Sequence, residues 1–180
     1  MKRALALSTL LLTSLPAVVA GGDDPIAWSA ADDGHGEIRT GVFEVADADC
    51  AYRFMADVQF LTGSLDHLEK VEVHEDRGTW QDATYHERFF LVGLVKSRYH
   101  RTLAFATEVS WVLVDGKQKR HDGTWKVTPT EAGAWVRFDN VIEAKSRLHN
   151  GLLKRIQKRT MSDIAGAALR VCGAGPSAAG

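Results

Sequence analysis

One long amphipathic helix closes a chain whose middle is almost entirely strand-like, and this order limits the possible folds more than any other feature. Residues 68–144 alternate between apolar and polar side chains, with turn sequences at 76–78 and at Asp115-Gly116. From residue 150 to 171 the apolar side chains instead recur every three or four residues. Consecutive strands joined by hairpins form an antiparallel sheet, and the final helix is long enough to cover one face of it.

Ahead of this run the sequence predicts one strand and two short helices. Residues 40–45 alternate like a strand, and residues 46–56 and 57–67 have helical spacing. Asp47 or Asp49 is placed to cap the first helix, because a carboxylate accepts hydrogen bonds from the free amides of a first turn. We therefore expect an α+β fold in which a curved antiparallel sheet wraps around the long C-terminal helix, with two short helices after the first strand.

The N-terminus has the three parts of a secretory signal peptide. Lys2 and Arg3 precede an apolar stretch over 4–15, and Ala20 supplies the small residue expected before a cleavage site. The apolar stretch is too short to span a bilayer of about 30 Å. We therefore expect an exported protein, periplasmic or secreted, that is soluble after cleavage.

The same patterns divide the chain into four segments. We expect a signal peptide at 1–20, a flexible leader at 21–38, one folded domain at 39–172 and a flexible tail at 173–180. The leader and the tail are rich in glycine, alanine and other small residues and lack periodicity.

Composition excludes several classes of protein. Hydrophobic residues make up 45% of the chain and charged residues 25%, which is ordinary globular usage and excludes disordered and collagen-like proteins. Removal of Lys2 and Arg3 with the signal segment leaves 20 basic against 23 acidic residues, a formal charge of −3 that gives no support to nucleic-acid binding. The sequence contains no GxSxG, HExxH or nucleotide-binding glycine loop. We expect no metal and no cofactor.

Two cysteines, Cys50 and Cys172, would reside in an oxidising compartment after export. Their separation excludes a CxxC redox pair and the usual zinc spacing. A single long-range disulfide is favoured, and two separate buried thiols are the alternative.

Four stretches of the chain resemble the START-like, helix-grip superfamily, also called SRPBCC. They are residues 48–57, residues 65–73, the Gly-x-Trp strand at 122–127 (Asp122-Gly123-Thr124-Trp125-Lys126-Val127) and the closing helix at 151–170. The pattern is similar to the branch of polyketide cyclases and coenzyme Q-binding proteins. The resemblance covers residues 39–172. It implies a cavity between the sheet and the last helix, in which members bind lipids, sterols, quinones or polyketides and some catalyse cyclisation or dehydration.

This resemblance, combined with the alternation along each strand, predicts which side chains line the cavity. Aromatic residues combine a large apolar area with, in Tyr and Trp, one hydrogen-bonding group, which suits a pocket. The expected ligand-binding residues are Tyr85, Phe89, Tyr99, Trp111, Trp125, Phe138, Asn140, Ile142, Leu152 and Ile156.

Three functions remain open at this point. The favoured one is binding of a hydrophobic small molecule, a lipid, a quinone or a polycyclic or isoprenoid compound, without catalysis. The first alternative is a cyclase- or dehydratase-like enzyme that uses polar groups in the same cavity, such as Tyr85, Tyr99 or Asn140. The second is an interaction module with a fully packed interior. His74 and His86, which have carboxylates beside them, are weaker candidates for a metal or acid–base site.

Basic residues gather around the start of the last helix. The cluster consists of Lys145, Arg147, Lys154, Arg155, Lys158 and Arg159. Such a cluster is either a solvated helix face or a contact for anionic lipid headgroups beside a cavity mouth. We expect a monomer that makes at most transient contact with an anionic membrane surface.

The signal-peptide assignment makes a direct prediction about the mature protein. Protein recovered from outside the cytoplasm should begin at Gly21, because signal peptidase cleaves after the small residue Ala20. N-terminal sequencing or intact-mass measurement checks this. Exported, membrane-free protein that retains Met1 would contradict it.

Overall fold

The structure is a computed structural model. It describes residues 25–32, 37–90, 92–145 and 150–176. The expected signal segment at 1–20 lies outside the described residues. So does Arg147 of the basic cluster.

The described chain contains one antiparallel sheet and three helices. In chain order the elements are β1 (Ala27–Asp32), β2 (Glu37–Val45), α1 (Ala48–Ala56), α2 (Val58–Ser64), β3 (Leu68–Asp76), β4 (Trp80–Phe89), β5 (Gly93–Ala104), β6 (Glu108–Asp115), β7 (Gln118–Thr130), β8 (Gly133–Ala144) and α3 (Asn150–Cys172). The α+β helix-grip fold expected from the sequence is confirmed: the sheet curves around α3, and α1 and α2 follow the second strand.

The strand order is β1-β2-β8-β7-β6-β5-β4-β3, and all neighbours are antiparallel. Hairpins join β3 through β8 in sequence. The chain crosses from β2 to β3 through α1 and α2, and these two helices cover one end of the concave face. Asp47 caps α1, because its carboxylate accepts a hydrogen bond from the amide of Cys50 at 2.9 Å.

The expected flexible leader at 21–38 is wrong where the structure describes it. Residues 27–32 form β1, which pairs with β2 from Glu37 to Val42. The indole of Trp28 lies directly on Gly41, where a Cβ atom would be 2.6 Å from the ring. An aromatic side chain that covers a glycine on the neighbouring strand stabilises a sheet edge. The residues around Trp28 are mostly small, so the sequence there does not show the alternation of apolar and polar side chains that predicts a strand.

The flexible tail expected at 173–180 is also wrong in its first residues. Gly173, with φ of 77°, ends α3, and its carbonyl accepts a hydrogen bond from Ala46 at 3.1 Å. The amide of Gly175 then donates to the carbonyl of Glu44 at 3.0 Å. These contacts attach the chain beyond α3 to the end of β2.

Trp125 is at the centre of the packed core. It is fully buried and its ring contacts Phe43, Phe54 and Phe138. Its indole N–H donates to the carbonyl of Ala51 in α1 at 3.0 Å, which satisfies the polar group of a buried Trp. The contact attaches α1 to the middle of the sheet.

A disulfide joins Cys50 in α1 to Cys172 at the end of α3, with the two Cα atoms 5.5 Å apart. The bond favoured by the sequence is confirmed, and separate thiols are excluded. Closing a loop of this length stabilises a fold by about 4–5 kcal/mol in the chain-entropy description.

The two halves of α3 lie at different depths. Met161, Ala165 and Ala168 in the C-terminal half are buried, and the small side chains of the two alanines let the helix approach the sheet. In the N-terminal half Leu152 and Ile156 are only half-buried. Val171, predicted on the apolar stripe, is 44% exposed because the buried face turns toward Cys172 and its disulfide. The space under the N-terminal half remains open.

Candidate ligand cavity

A cavity of about 350 Å³ lies between the sheet and the N-terminal half of α3. Most of its lining is apolar and comes from β4, β5, β8 and α3. The apolar lining residues are Phe89, Val92, Val95, Ile142, Ala144, Leu152, Leu153 and Ile156. Lys117 and Lys145 also line it, and both are exposed at the surface.

A smaller cavity of about 70 Å³ continues toward α1 and α2. Its lining includes Tyr85, Tyr99, Trp111 and Phe138. Four residues line both cavities, so the two spaces adjoin. These shared residues are Glu87, His121, Asn140 and Thr160.

Nine of the ten residues expected to contact a ligand line one of these cavities. Phe89, Ile142, Leu152 and Ile156 line the larger one. Tyr85, Tyr99, Trp111 and Phe138 line the smaller one, and Asn140 lines both. Trp125 is the exception: it does not line either cavity, because α1 and its aromatic neighbours cover it completely. Ligand binding by these residues stays a prediction.

A glycine explains the position of Trp111. Gly123 on β7 pairs with Trp111 on β6, and a Cβ atom at Gly123 would lie 2.2 Å from the indole ring. Gly123 and Trp125, the two defined positions of the Gly-x-Trp pattern, thus determine where two aromatic side chains lie. Gly123 gives room to Trp111 at the cavity wall, while Trp125 fills the core.

Glu87 is the most important cavity residue that the sequence interpretation missed. Its side chain is only 14% exposed, and burial raises the pKa of its carboxyl to about 7. Nε2 of His67 lies 3.9 Å from Oε1 of Glu87. Burial lowers the pKa of His67, so this imidazole favours its neutral form. Strand alternation from Tyr85 to Phe89 places Glu87 inward, but a charged residue is rarely assigned to a buried face.

Tyr99 and His121 form a hydrogen-bonded pair on the same wall. The Tyr99 hydroxyl lies 2.7 Å from Nδ1 of His121. Burial lowers the pKa of His121 to about 4 and raises that of Tyr99 well above its usual value. Both groups are therefore neutral at pH 7.

Arg101 lines the smaller cavity, but its guanidinium is held by the protein. It donates to Gln81 Oε1 at 2.6 Å and to the carbonyls of Met55 and Ala56 at the end of α1. A cation at the C-terminus of a helix interacts favourably with the exposed carbonyls and the helix dipole. Arg101 therefore fixes α1 on β5, and it lies 5.9 Å from the ring centroid of Tyr85.

His74 and His86 contribute nothing to the cavity. His74 hydrogen-bonds to Thr84 at 2.8 Å, and His86 lies 3.5 Å from Glu72. Among the described residues, no group of three His, Cys, Asp or Glu side chains is placed to hold a metal ion. None of the helices that the structure describes has both the length and the hydropathy of a membrane span.

The chain belongs to the family described as polyketide cyclase / dehydrase and lipid transport, which matches residues 45–168. The START-like resemblance seen in the sequence is thereby confirmed. The search of curated proteins found no significant match.

Solved structures show the same fold at low sequence identity. The Zhui aromatase/cyclase from a Streptomyces species superposes with a TM-score of 0.68 at 16% identity, covering 73% of this chain and 90% of that one. A START superfamily protein from Mycobacterium smegmatis gives 0.64 at 12% identity, covering 74% and 96%. A STAR-related lipid transfer protein from Xanthomonas axonopodis gives 0.55 at 18% identity, covering 81% and 96%.

The buried carboxyl of Glu87 makes stability depend on pH. The folded protein holds this proton up to about pH 7, whereas the unfolded chain releases it near 4.5. Stability therefore falls as the pH rises from about 4.5 to about 7, by roughly 3 kcal/mol. Glu87→Gln should remove this loss. The free energy of unfolding of the variant minus that of the wild type should therefore be larger at pH 8 than at pH 5. Urea denaturation of both proteins at the two pH values measures this difference.

Glu131→Gln is the matched control, because Glu131 is exposed in the turn between β7 and β8. It removes a carboxyl at a position that is not buried, so it should not reproduce the gain in stability of Glu87→Gln. His121 titrates in both proteins and cancels in the comparison. A difference between Glu87→Gln and wild type that is the same at pH 5 and pH 8 would show that Glu87 is not buried as described.

Proposed function

We propose that this protein is exported and binds a hydrophobic small molecule in the cavity under the N-terminal half of α3, acting as a monomer. The apolar cavity of about 350 Å³ is the observation that carries the proposal. Its volume lies within the range of small-molecule sites, about 300–1,000 Å³, and it combines apolar walls with a few polar groups, as such sites do. A filled core would have left no such space.

Burial of apolar area supplies the binding energy in this proposal. A ligand that loses about 300 Å² of apolar surface gains roughly 7 kcal/mol at 25 cal/mol per Å². Part of this gain offsets the lost freedom of the ligand. Two proteins of similar structure are an aromatase/cyclase and a STAR-related lipid transfer protein, and aromatic rings and lipids are both largely apolar.

Export is the second part of the proposal. The basic, apolar and small-residue segments before Gly21 support it. The Cys50–Cys172 disulfide supports it independently, because such bonds persist in the periplasm and outside the cell and are rare in the cytosol.

A cyclase- or dehydratase-like activity is the second candidate, and Glu87 is the observation that favours it. A carboxyl whose pKa is about 7 can both release and accept a proton at neutral pH. It lines both cavities, as does His121, whose partner Tyr99 provides a hydroxyl nearby. Removal of a proton next to a ligand carbonyl and its return to a leaving hydroxyl would need such a group.

Contact with an anionic membrane is a further part of the proposal. An open groove beside the cavity is lined by Arg155 and Arg159 of α3 and by Phe89 and Phe90. Phe90 is 98% exposed. An exposed aromatic residue beside cationic side chains suits a negatively charged lipid surface. Lys154 contributes less, because it pairs with Glu37 at 2.8 Å.

Asn140→Leu tests the cavity. In an open cavity the added apolar bulk should cost little stability but weaken binding of the neutral fluorophore N-phenyl-1-naphthylamine about tenfold. In a packed core the same change costs about 1–3 kcal/mol. Fluorescence titration and thermal melting separate the two cases. Thr128→Leu, an equal change at an exposed position on β7, is the control. A large loss of stability with unchanged fluorophore binding would overturn the proposed function.

Vesicle co-sedimentation tests the membrane contact. Phe90→Ser and Arg155→Gln should each reduce binding to phosphatidylglycerol vesicles severalfold, whereas pure phosphatidylcholine vesicles should bind weakly throughout. Phe105→Ser is the matched control, because Phe105 is 88% exposed but lies beyond the opposite end of β5. Equal losses for Phe90→Ser and Phe105→Ser would contradict a specific docking surface.

A further inference from the structure

The carboxyl of Glu87 lies where the two cavities adjoin and has no cation beside it. Glu87 lines both spaces, and its side chain is 14% exposed. Among the described residues only His67 comes within ion-pair distance, with its Nε2 3.9 Å from Oε1 of Glu87, and burial disfavours the charged form of this imidazole. A buried carboxylate is costly unless a cation pairs with it. The protein leaves this carboxyl without a permanent counter-ion.

The cations that line the cavities are engaged elsewhere or lie at the surface. In the part of the chain that the structure describes, these lysine and arginine side chains are Lys117, Lys145 and Arg101, and none forms an ion pair with Glu87. The ammonium of Lys145 donates to the carbonyl of Gly116 at 2.9 Å, and Lys117 is exposed. The guanidinium of Arg101 donates to the last carbonyls of α1. A positive charge for Glu87 therefore has to come from a ligand.

The neighbours of Glu87 on the concave face are aromatic and aliphatic. Tyr85 and Phe89 flank it along β4 on the same face and line the cavities with it. Leu68 on β3 and Val95 on β5 lie opposite it in the sheet, and both are buried. Apolar side chains bind a hydrophobic body, and the negative faces of aromatic rings attract cations. These surroundings suit a molecule that is positively charged at one atom and apolar elsewhere.

We propose that the cavity binds hydrophobic amines, with the ammonium group of the ligand paired with the carboxylate of Glu87 and its apolar body in the space under α3. This inference rests on the proposed function and names the chemical class of its ligand. A neutral apolar molecule leaves the carboxyl unpaired. A carboxylic acid places a second negative charge beside it, which is unfavourable in a site of low polarity.

Three probes of one ring system test the selection in the mature protein. They are 1-naphthalenemethylamine, 1-naphthalenemethanol and 1-naphthoic acid, which are a cation, a neutral molecule and an anion at pH 7.5. Displacement of N-phenyl-1-naphthylamine measures their affinities. The amine should bind about tenfold or more tightly than the alcohol, and the acid should bind most weakly. A cavity that recognises only apolar area would favour the alcohol over the amine, because a charged group loses more on leaving water.

Glu87→Gln removes the charge at nearly constant side-chain size. It should reduce the affinity for the amine about tenfold or more and leave the affinity for the alcohol unchanged or higher. Glu143→Gln is the matched control, because it changes the net charge equally. Glu143 follows Ile142 on β8, so it lies on the opposite face of the sheet, and it does not line either cavity. A general attraction of amines to the protein would be weakened equally in both variants.

The number of protons exchanged on binding gives a readout that needs no variant. Because the pKa of Glu87 is about 7, its carboxyl is about half protonated at pH 7. A bound ammonium favours the carboxylate, so binding of the amine should release about half a proton at this pH. The alcohol only buries the carboxyl further, so its binding should take up protons. Calorimetry in buffers of different ionisation enthalpy measures both numbers.

Other titratable groups near Glu87 should contribute little to this count. They are His67 before β3, Tyr85 on β4, Tyr99 on β5 and His121 on β7. Burial lowers the pKa of both histidines and raises that of both tyrosines, so the neutral form of each is favoured at pH 7. Among the described residues of α3, only uncharged side chains line the two cavities.

The outcomes separate this inference from the proposed function. If N-phenyl-1-naphthylamine binds, three results would each overturn the inference and leave hydrophobic binding intact. They are an affinity for the amine no higher than that for the alcohol or the acid, a preference for the amine that survives Glu87→Gln, and proton uptake when the amine binds. Failure of the fluorophore and all three probes to bind would overturn both. A preference for the amine that is lost in Glu87→Gln but kept in Glu143→Gln, with proton release on binding, would support the inference. If Glu87→Gln fails to fold, the sign of the proton exchange decides.

Discussion

One helix cannot cover a wide curved sheet, and the cavity follows from this mismatch. Eight strands at about 4.8 Å spacing make a sheet about 34 Å across, whereas a helix with its side chains is only about 10 Å wide. The concave face is apolar and has to be shielded from water. The sheet therefore curves around α3, α1 and α2 fill one end, and the remaining space lies under the N-terminal half of α3.

Three contacts of different kinds fix the closed end of the fold, which is the end of the concave face that α1 and α2 cover. The Cys50–Cys172 disulfide joins α1 to α3, the indole of Trp125 donates to the carbonyl of Ala51, and the guanidinium of Arg101 donates to the last carbonyls of α1. Close packing of the small residues in the second half of α3 completes this end. A rigid closed end allows the other half of α3 to stand away from the sheet without loss of the fold.

Polar side chains from the sheet and from α3 line the cavity among its apolar residues. Glu87, His121 and Asn140 line both cavities; burial keeps His121 neutral at pH 7 and raises the pKa of Glu87 to about 7. Neutral groups in a dry site orient a ligand without the cost of burying a charge. The same groups could move a proton, so binding and acid–base chemistry would share one set of residues, and the chemistry of the ligand would decide between them.

The sequence by itself determined the elements, the faces of the strands and the family pattern, because alternation and helical spacing are local properties of a chain. Nine of the ten expected residues line the cavities for this reason. Only the tertiary structure decided that Trp125 belongs to the core, that residues 27–32 add an edge strand, and that Glu87 is buried. Each of these depends on which distant element covers a side chain. The alternation along a strand specifies the face of the sheet on which a side chain lies. How much space remains on that face depends on helices that are distant in sequence.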